Sequence, residues 1–358
     1  MSYTFGTMRM KSRWSMLLPA LCGLALGQSP GALAPTFITI DAPGALYGTW
    51  ALSINSEGAI AGYYASYNGS STYEGFLRSP SGAFTTFEPP GATLTLAYSI
   101  NDAGAIAGYY AEADNTYHGF VRSPRGAFAT IDAPGAANGT VANSINDAGA
   151  ITGFYLDANV VSHGYVRSPS GVYTTFDAPG AISGFMLGTH PQSIGDTGAI
   201  AGYYDTASDG WQSFVRRPSG AITTFNAAGA GTGVNRGTLA YAINAADAVT
   251  GYYSDASGLL HGFLRDPAGA YTTVDAPGAA QGTFAYGINA AGAVTGFYMD
   301  ASYAGHAFLR GPSGGFATFN TPDAGVAGTT GNSINDAGAI TGFYQDSSNG
   351  THGFLRIP

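Results

Sequence analysis

One phrase, written seven times, constrains this chain more than any other feature. A glycine followed by two aromatic residues falls at Gly62, Gly108, Gly153, Gly202, Gly251, Gly296 and Gly342, at spacings of 46, 45, 49, 49, 45 and 46 residues. A period in this range marks an array in which each repeat is one supersecondary unit that cannot bury its apolar face alone. Every copy divides at Gly, Pro, Asn and Asp into four short runs, "TLAYAIN", "AITGFY", "HGFLR" and "AYTTFD" in their commonest forms. The runs are rich in aromatic and β-branched residues, as strands are. With 54 glycines and only 10% charged residues, tight turns are favoured over long helices. Four strands per copy, seven times over, predict an all-β chain: a seven-bladed β-propeller of four-stranded antiparallel blades. The last copy stops after its third strand at Pro358, and "TFITIDAPGA" (residues 36–45) is a lone fourth strand. A ring closed by the N-terminal strand accounts for both half-copies. A linear stack leaves them unexplained and exposes sheet edges, and the competing fold, a parallel β-helix, has shorter coils and needs caps.

Residues 1–34 do not belong to the array. Arg9, Lys11 and Arg13 precede the apolar run "WSMLLPALCGLALG", and small residues follow it, which is the layout of a secretory signal peptide. The run is short for a membrane span, and bulky Leu21 before Cys22 argues against a lipoprotein signal. The expected organisation is therefore a signal peptide at 1–34 and one propeller at 35–358, with a secreted, periplasmic or cell-surface location. Cys22 is the only cysteine, so the propeller holds no disulfide and no thiol chemistry. Beyond residue 34 the charge comes from ten arginines against 22 acids, a net −12. That excludes nucleic acid and anionic membranes as natural partners. No apolar stretch beyond the leader is long enough to insert in a membrane.

The phrase Gly-Ile-Asn, a turn glycine, Gly-Phe/Tyr-Tyr, then His-Ala-Phe resembles the HAF-type bacterial extracellular repeat. His306-Ala307-Phe308 carries it literally, and His118, His163, His261 and His352 each precede Gly and an aromatic residue. The resemblance implies a secreted or surface protein with a propeller-like fold, and it brings no catalytic residues. Two copies depart from it, with Glu74 and Gln212 at the histidine position.

Repetition argues against reading the repeated groups as chemistry. Metal ligation needs several ligands converging on one ion, whereas one histidine per blade is spread around a ring. Each is expected to hydrogen-bond the neighbouring blade. Arg78, Arg122, Arg167, Arg216, Arg265, Arg310 and Arg356 end the third strands and are expected to form a structural ring of pairs with turn acids such as Asp102, Asp147 and Asp336. The Tyr-Tyr and Phe-Tyr pairs read as blade-to-blade packing. No nucleophile elbow, metal site or cofactor motif appears, so no catalytic residue, metal or cofactor is expected. "DTASDG" (205–210) and "DSSNG" (346–350) only loosely resemble calcium loops.

Strand alternation sorts the charges. The "DAPGA" links and the loops after "GYY" fall on one face with 15 acids and Arg236; the "NDAG" and "SPSG" turns fall on the other with seven acids and nine arginines. A ligand is expected on the acidic face, with its longer loops. Departures from the repeat point to where. The fourth copy has the long link "AISGFMLGTHPQS" with His190, then Trp211-Gln212, and the first adds Trp50 and Glu74. With Asp205 and Asp209 these are the candidate ligand-binding residues. His190 has no obvious partner in the sequence, and packing between blades is the competing role for both tryptophans. The expected function is an exported, non-catalytic binding or structural module for a glycan, peptide or cation. A propeller lyase or hydrolase with its site at the central mouth, and a self-assembling surface protein, are the alternatives.

Overall fold

The computed structural model describes residues 34–67, 71–208 and 210–358, so the expected leader and Asp209 lie outside the described residues. All regular structure is β: 28 strands, with no helix among the described residues. No described helix is long and apolar enough to cross a membrane. The strands lie in one compact unit, Pro35–Pro358.

Each copy folds as an antiparallel meander. In the first, Gly48–Ile54 pairs with Ile60–Tyr67, that strand with Ser71–Arg78, and that with Phe84–Phe87. The strands form six hydrogen-bonded sheets, five of four strands and one of eight. The large sheet is two such meanders joined by a single parallel bridge between Trp211 and Gly237. Counting by meander rather than by sheet gives seven four-stranded units. The N-terminal strand Thr36–Ile40 pairs with Thr351–Ile357, register Ile38 to Leu355, so the chain's two half-copies complete one blade.

A belt of asparagines ties the inner strands together. Asn55 donates its side-chain N–H to the carbonyl of Asn101, Asn101 to Asn146, and Asn146 to Gly195, at 3.0–3.2 Å. Asn244 donates to Asn289, Asn289 to Asn335, and Asn335 back to Asn55. The seven positions close into a circle, broken only at Gly195, which has no side chain to give. Each Asn also accepts a backbone N–H from its own turn, as Ala105 to Asn101 at 2.8 Å. That double duty explains asparagine at this buried site.

The links are pinned as regularly. In "DAPGA" the Ala N–H donates to the buried threonine that opens the next inner strand, as Ala42 to Thr49 and Ala133 to Thr140, both 3.1 Å. The second link reads "EPPGA", with Pro89 at the alanine position. Proline has no N–H to give, and Thr95 Oγ1 is left buried without a partner.

The expected Arg–Asp ring does not form. Arg122, Arg216, Arg265 and Arg356 lie over Phe87, Phe176, Phe225 and Phe319 of the preceding blade's outer strand, 4.8–5.1 Å from the ring centroids. Arg167 lies over Tyr173 of its own blade at 5.9 Å. Arg78 and Arg310 reach the carbonyl of the next residue and tuck beneath the turn glycines Gly82 and Gly314. Among the described residues the one Arg–Asp pair joins Arg217, outside the ring, to Asp247. The turn acids instead accept backbone N–H groups from the adjacent blade: Ser56 to Asp102, Asp102 to Asp147, Ala290 to Asp336, each 2.8 Å. The ring arginines are thus packed on aromatic rings and turns rather than ion-paired.

Candidate functional site

The site begins with the repeated glycine. In each blade it faces a β-bulge in the inner strand, where the register shifts between Ala51 and Ser53 and at the same place in the other six. A Cβ on Gly251 would lie 2.1 Å from the Leu239 carbonyl oxygen, and one on Gly108 2.0 Å from that of Leu96. The bulge brings the inner-strand carbonyl so close that only glycine fits opposite.

A bulge also re-aims the extra residue. The seven bulged residues are Leu52, Tyr98, Asn143, Gln192, Tyr241, Tyr286 and Asn332, and all seven line one central cavity of about 830 Å³. The first aromatic of four "GYY" pairs joins them, as Tyr109, Phe154, Phe297 and Phe343, and Tyr117, Leu156 and Met186 mark the opening toward the links and loops. Eight lining side chains are aromatic, three are primary amides and none is charged. The rings hold one another: Tyr98 against Tyr109 at 5.5 Å, Tyr241 against Tyr286 at 5.3 Å. Burial pushes the phenols of Tyr98, Tyr241 and Tyr286 well above their usual range, so they present neutral rings. The opposite mouth is a separate, smaller opening of about 210 Å³ lined by the Ile-Asn turns of the inner strands.

The aromatic pairs therefore do two jobs rather than only packing blades together. The second ring of each pair is buried and, in five blades, stacks on the repeated histidine, as Tyr298 on His306 at 5.0 Å. That histidine bonds within its own blade, not to its neighbour. His118 Nδ1 meets Asp132 at 2.8 Å, His163 meets Asp177 at 2.9 Å and His261 meets Asp275 at 2.8 Å, each an acid of the following link. The other ring nitrogen faces a loop acid, Asp157 or Asp255 at 3.6 Å, Asp346 at 3.4 Å from His352. His352 is raised: burial opposes the charge, but the hydrogen bond and charge of Asp41 and those of Asp346 outweigh it. The loop acids are occupied a second time. Asp255 accepts three backbone N–H groups and the Ser257 hydroxyl, which, after allowing for burial, hold its carboxyl down at about 2. Asp346 in "DSSNG" likewise accepts the N–H groups of Ser348 and Gly350. No group of three metal-ligating side chains occurs among the described residues.

The fourth blade breaks this pattern and brings candidate residues together. Asp205 and Trp211 are cross-strand partners. With His190, Gln192, Tyr203 and Phe154 they line a side pocket of about 310 Å³ next to the central cavity, and Phe154, Leu156, Met186 and Gln192 line both. His190 does have partners: Nε2 meets Asp205 Oδ2 at 2.9 Å, Nδ1 meets Ser162 Oγ at 3.3 Å, and the ring stacks on Tyr203 at 5.0 Å. Gly188 N–H donates to the same Asp205 oxygen at 3.0 Å. Ser162, His190 and Asp205 are in series, but Ser162 is 1% exposed and lines neither cavity. The series therefore orients Asp205.

The other candidates sit elsewhere. Gln212 takes the histidine position and accepts the Tyr204 hydroxyl. Glu74 does the same for Tyr64 in the first blade and also accepts from Ser66 at 2.6 Å. Trp50 stacks on Tyr63, its own cross-strand partner, at 5.2 Å. Neither Trp50 nor Glu74 lines the central cavity or the side pocket. The bulged residues escaped the reading of the sequence. Their signal was the strand-interior glycine, used there only to count copies.

No protein-family profile matches the sequence, and no curated protein sequence does. Solved structures do. Virginiamycin B lyase from Staphylococcus aureus superposes with a TM-score of 0.56 at 12% identity, over 91% of this chain and 100% of that one. A streptogramin B lyase gives 0.54 at 13%, over 91% and 98%. A prolyl endopeptidase gives 0.56 at 12%, over 88% of this chain and 51% of that one. The shared fold is the β-propeller. At these identities the likeness is one of fold alone.

Proposed function

We propose that the protein is an exported binding module built from HAF-type repeats, which seats the apolar part of an amphipathic ligand in the central cavity. The observation that carries this reading is the convergence of all seven bulged residues on one cavity of about 830 Å³. That volume suits a small organic ligand or a short peptide segment. Flanking positions stay nearly constant from copy to copy, with Ala or another small residue before the bulge and Ile-Asn after it in most, while the bulged residue runs through Leu, Tyr, Asn and Gln. Scaffold demands are equal in every blade, so this column varies for another reason. Aromatic walls bind apolar groups, and Asn143, Gln192 and Asn332 offer both donors and acceptors to orient them. The loop-face carboxylates that favoured a cation in the sequence are mostly bonded to histidines and turn N–H groups, so the cavity rather than the loops is the seat.

The test is binding of N-acetyl-dansylcadaverine, a neutral fluorescent amphiphile, followed by emission enhancement and blue shift. Saturable binding by the wild type, weakened about tenfold or more in a Tyr241→Ala, Tyr286→Ala double variant, is expected. Binding that the double variant leaves unchanged contradicts the reading.

A further inference from the structure

We propose that the fourth-blade pocket is a cation subsite, in which Asp205 and Trp211 take the ammonium or guanidinium group of a ligand whose apolar body fills the central cavity. This rests on the cavity being the ligand seat and adds the chemical class of the ligand.

Asp205 is 9% exposed and belongs to the pocket lining. Its Oδ2 is fixed by Gly188 N–H and His190 Nε2, while Oδ1 has no hydrogen bond among the described residues. The Asp205 side chain is largely buried, and the pocket it lines is where a donor can reach the oxygen that the fold leaves free. Directly across the strand pair stands Trp211, whose indole face attracts a cation. Across the linings of both cavities Asp205 is the one carboxylate, and neither lining holds an arginine or a lysine, so a cation entering there meets no guanidinium or ammonium group.

The position is particular to this blade. Two residues after the first aromatic the other copies have Ala65, Ala111, Leu156, Ser254, Met299 and Gln345. His190 likewise stands where the others have Trp, Leu, Val, Leu, Phe and Thr. An aspartate, the histidine that fixes it and a tryptophan opposite have replaced apolar or uncharged residues together. Propeller closure asks for none of the three. Besides Asp205, the loop-face links and loops carry 13 acids of the described residues against Arg236, a field that draws cations toward the opening.

The probe is dansylcadaverine, whose primary amine is charged at pH 7, compared with its neutral N-acetyl form at fixed ionic strength. In the wild type the amine is expected to bind about tenfold or more tightly than the acetylated probe, as a charge-assisted contact requires. In Asp205→Asn, which keeps an acceptor for His190, the ratio is expected to fall to about one. Equal affinities in the wild type overturn the cation subsite and leave the cavity reading standing. A ratio that persists in Asp205→Asn assigns the preference to the rim acids and also overturns it. If neither probe binds, both readings fall. The wild-type ratio needs no variant, so the proposal stays testable if Asp205→Asn does not fold.

Discussion

At the residue scale the repeated glycine is the piece everything else depends on. Its lack of a Cβ lets the inner-strand carbonyl approach, the approach permits the bulge, and the bulge turns one side chain inward. Gly251→Ala places a methyl 2.1 Å from the Leu239 oxygen. It should lower stability by about 1–3 kcal/mol, as forced overpacking does, read as a drop in the urea midpoint. An unchanged midpoint would mean the bulge is not rigid. The same scale explains the orphan Thr95 hydroxyl: a proline at position 89 removes the donor that other links supply.

At the element scale the loops after the second strands are self-contained turns. Asp157, Asp255, Asp300 and Asp346 each cap their own loop through backbone N–H groups, and all four carboxyls are lowered. A lowered carboxyl stabilises the fold above its unfolded pKa of about 4, and that contribution is lost as pH falls through the folded value. Carbon-detected NMR should therefore find Asp255 titrating at about 2. Ser257→Ala, which removes the largest lowering contact, should move the midpoint up toward the ordinary range. A wild-type midpoint already near 4 would mean the turn does not form in solution.

Element order was readable in the sequence because period and turn residues agree: the four runs per copy are the four strands, and residues 36–40 close the last sheet. What stayed hidden depended on side-chain direction. Asp102 and Arg122 were placed at one edge, but nothing in the sequence says that the carboxylate accepts a backbone N–H while the guanidinium lies on Phe87. His190 and Asp205 lie 15 residues apart in the sequence, and only the antiparallel pairing of their strands brings them together.

At the scale of the whole molecule, circular closure converts small local differences into one shared site. Each blade supplies a single inward residue, and no blade holds a cavity by itself. The asparagine belt fixes the inner strands at a common height, so seven unrelated choices at the bulge meet around one axis. The central claim is that this meeting place seats the ligand. A crystal structure of the protein with N-acetyl-dansylcadaverine tests it most directly. The naphthalene ring is expected inside the central cavity, in van der Waals contact with Tyr241 and Tyr286. Density for the ring on the outer loops or blade edges, with the cavity left empty, would contradict it.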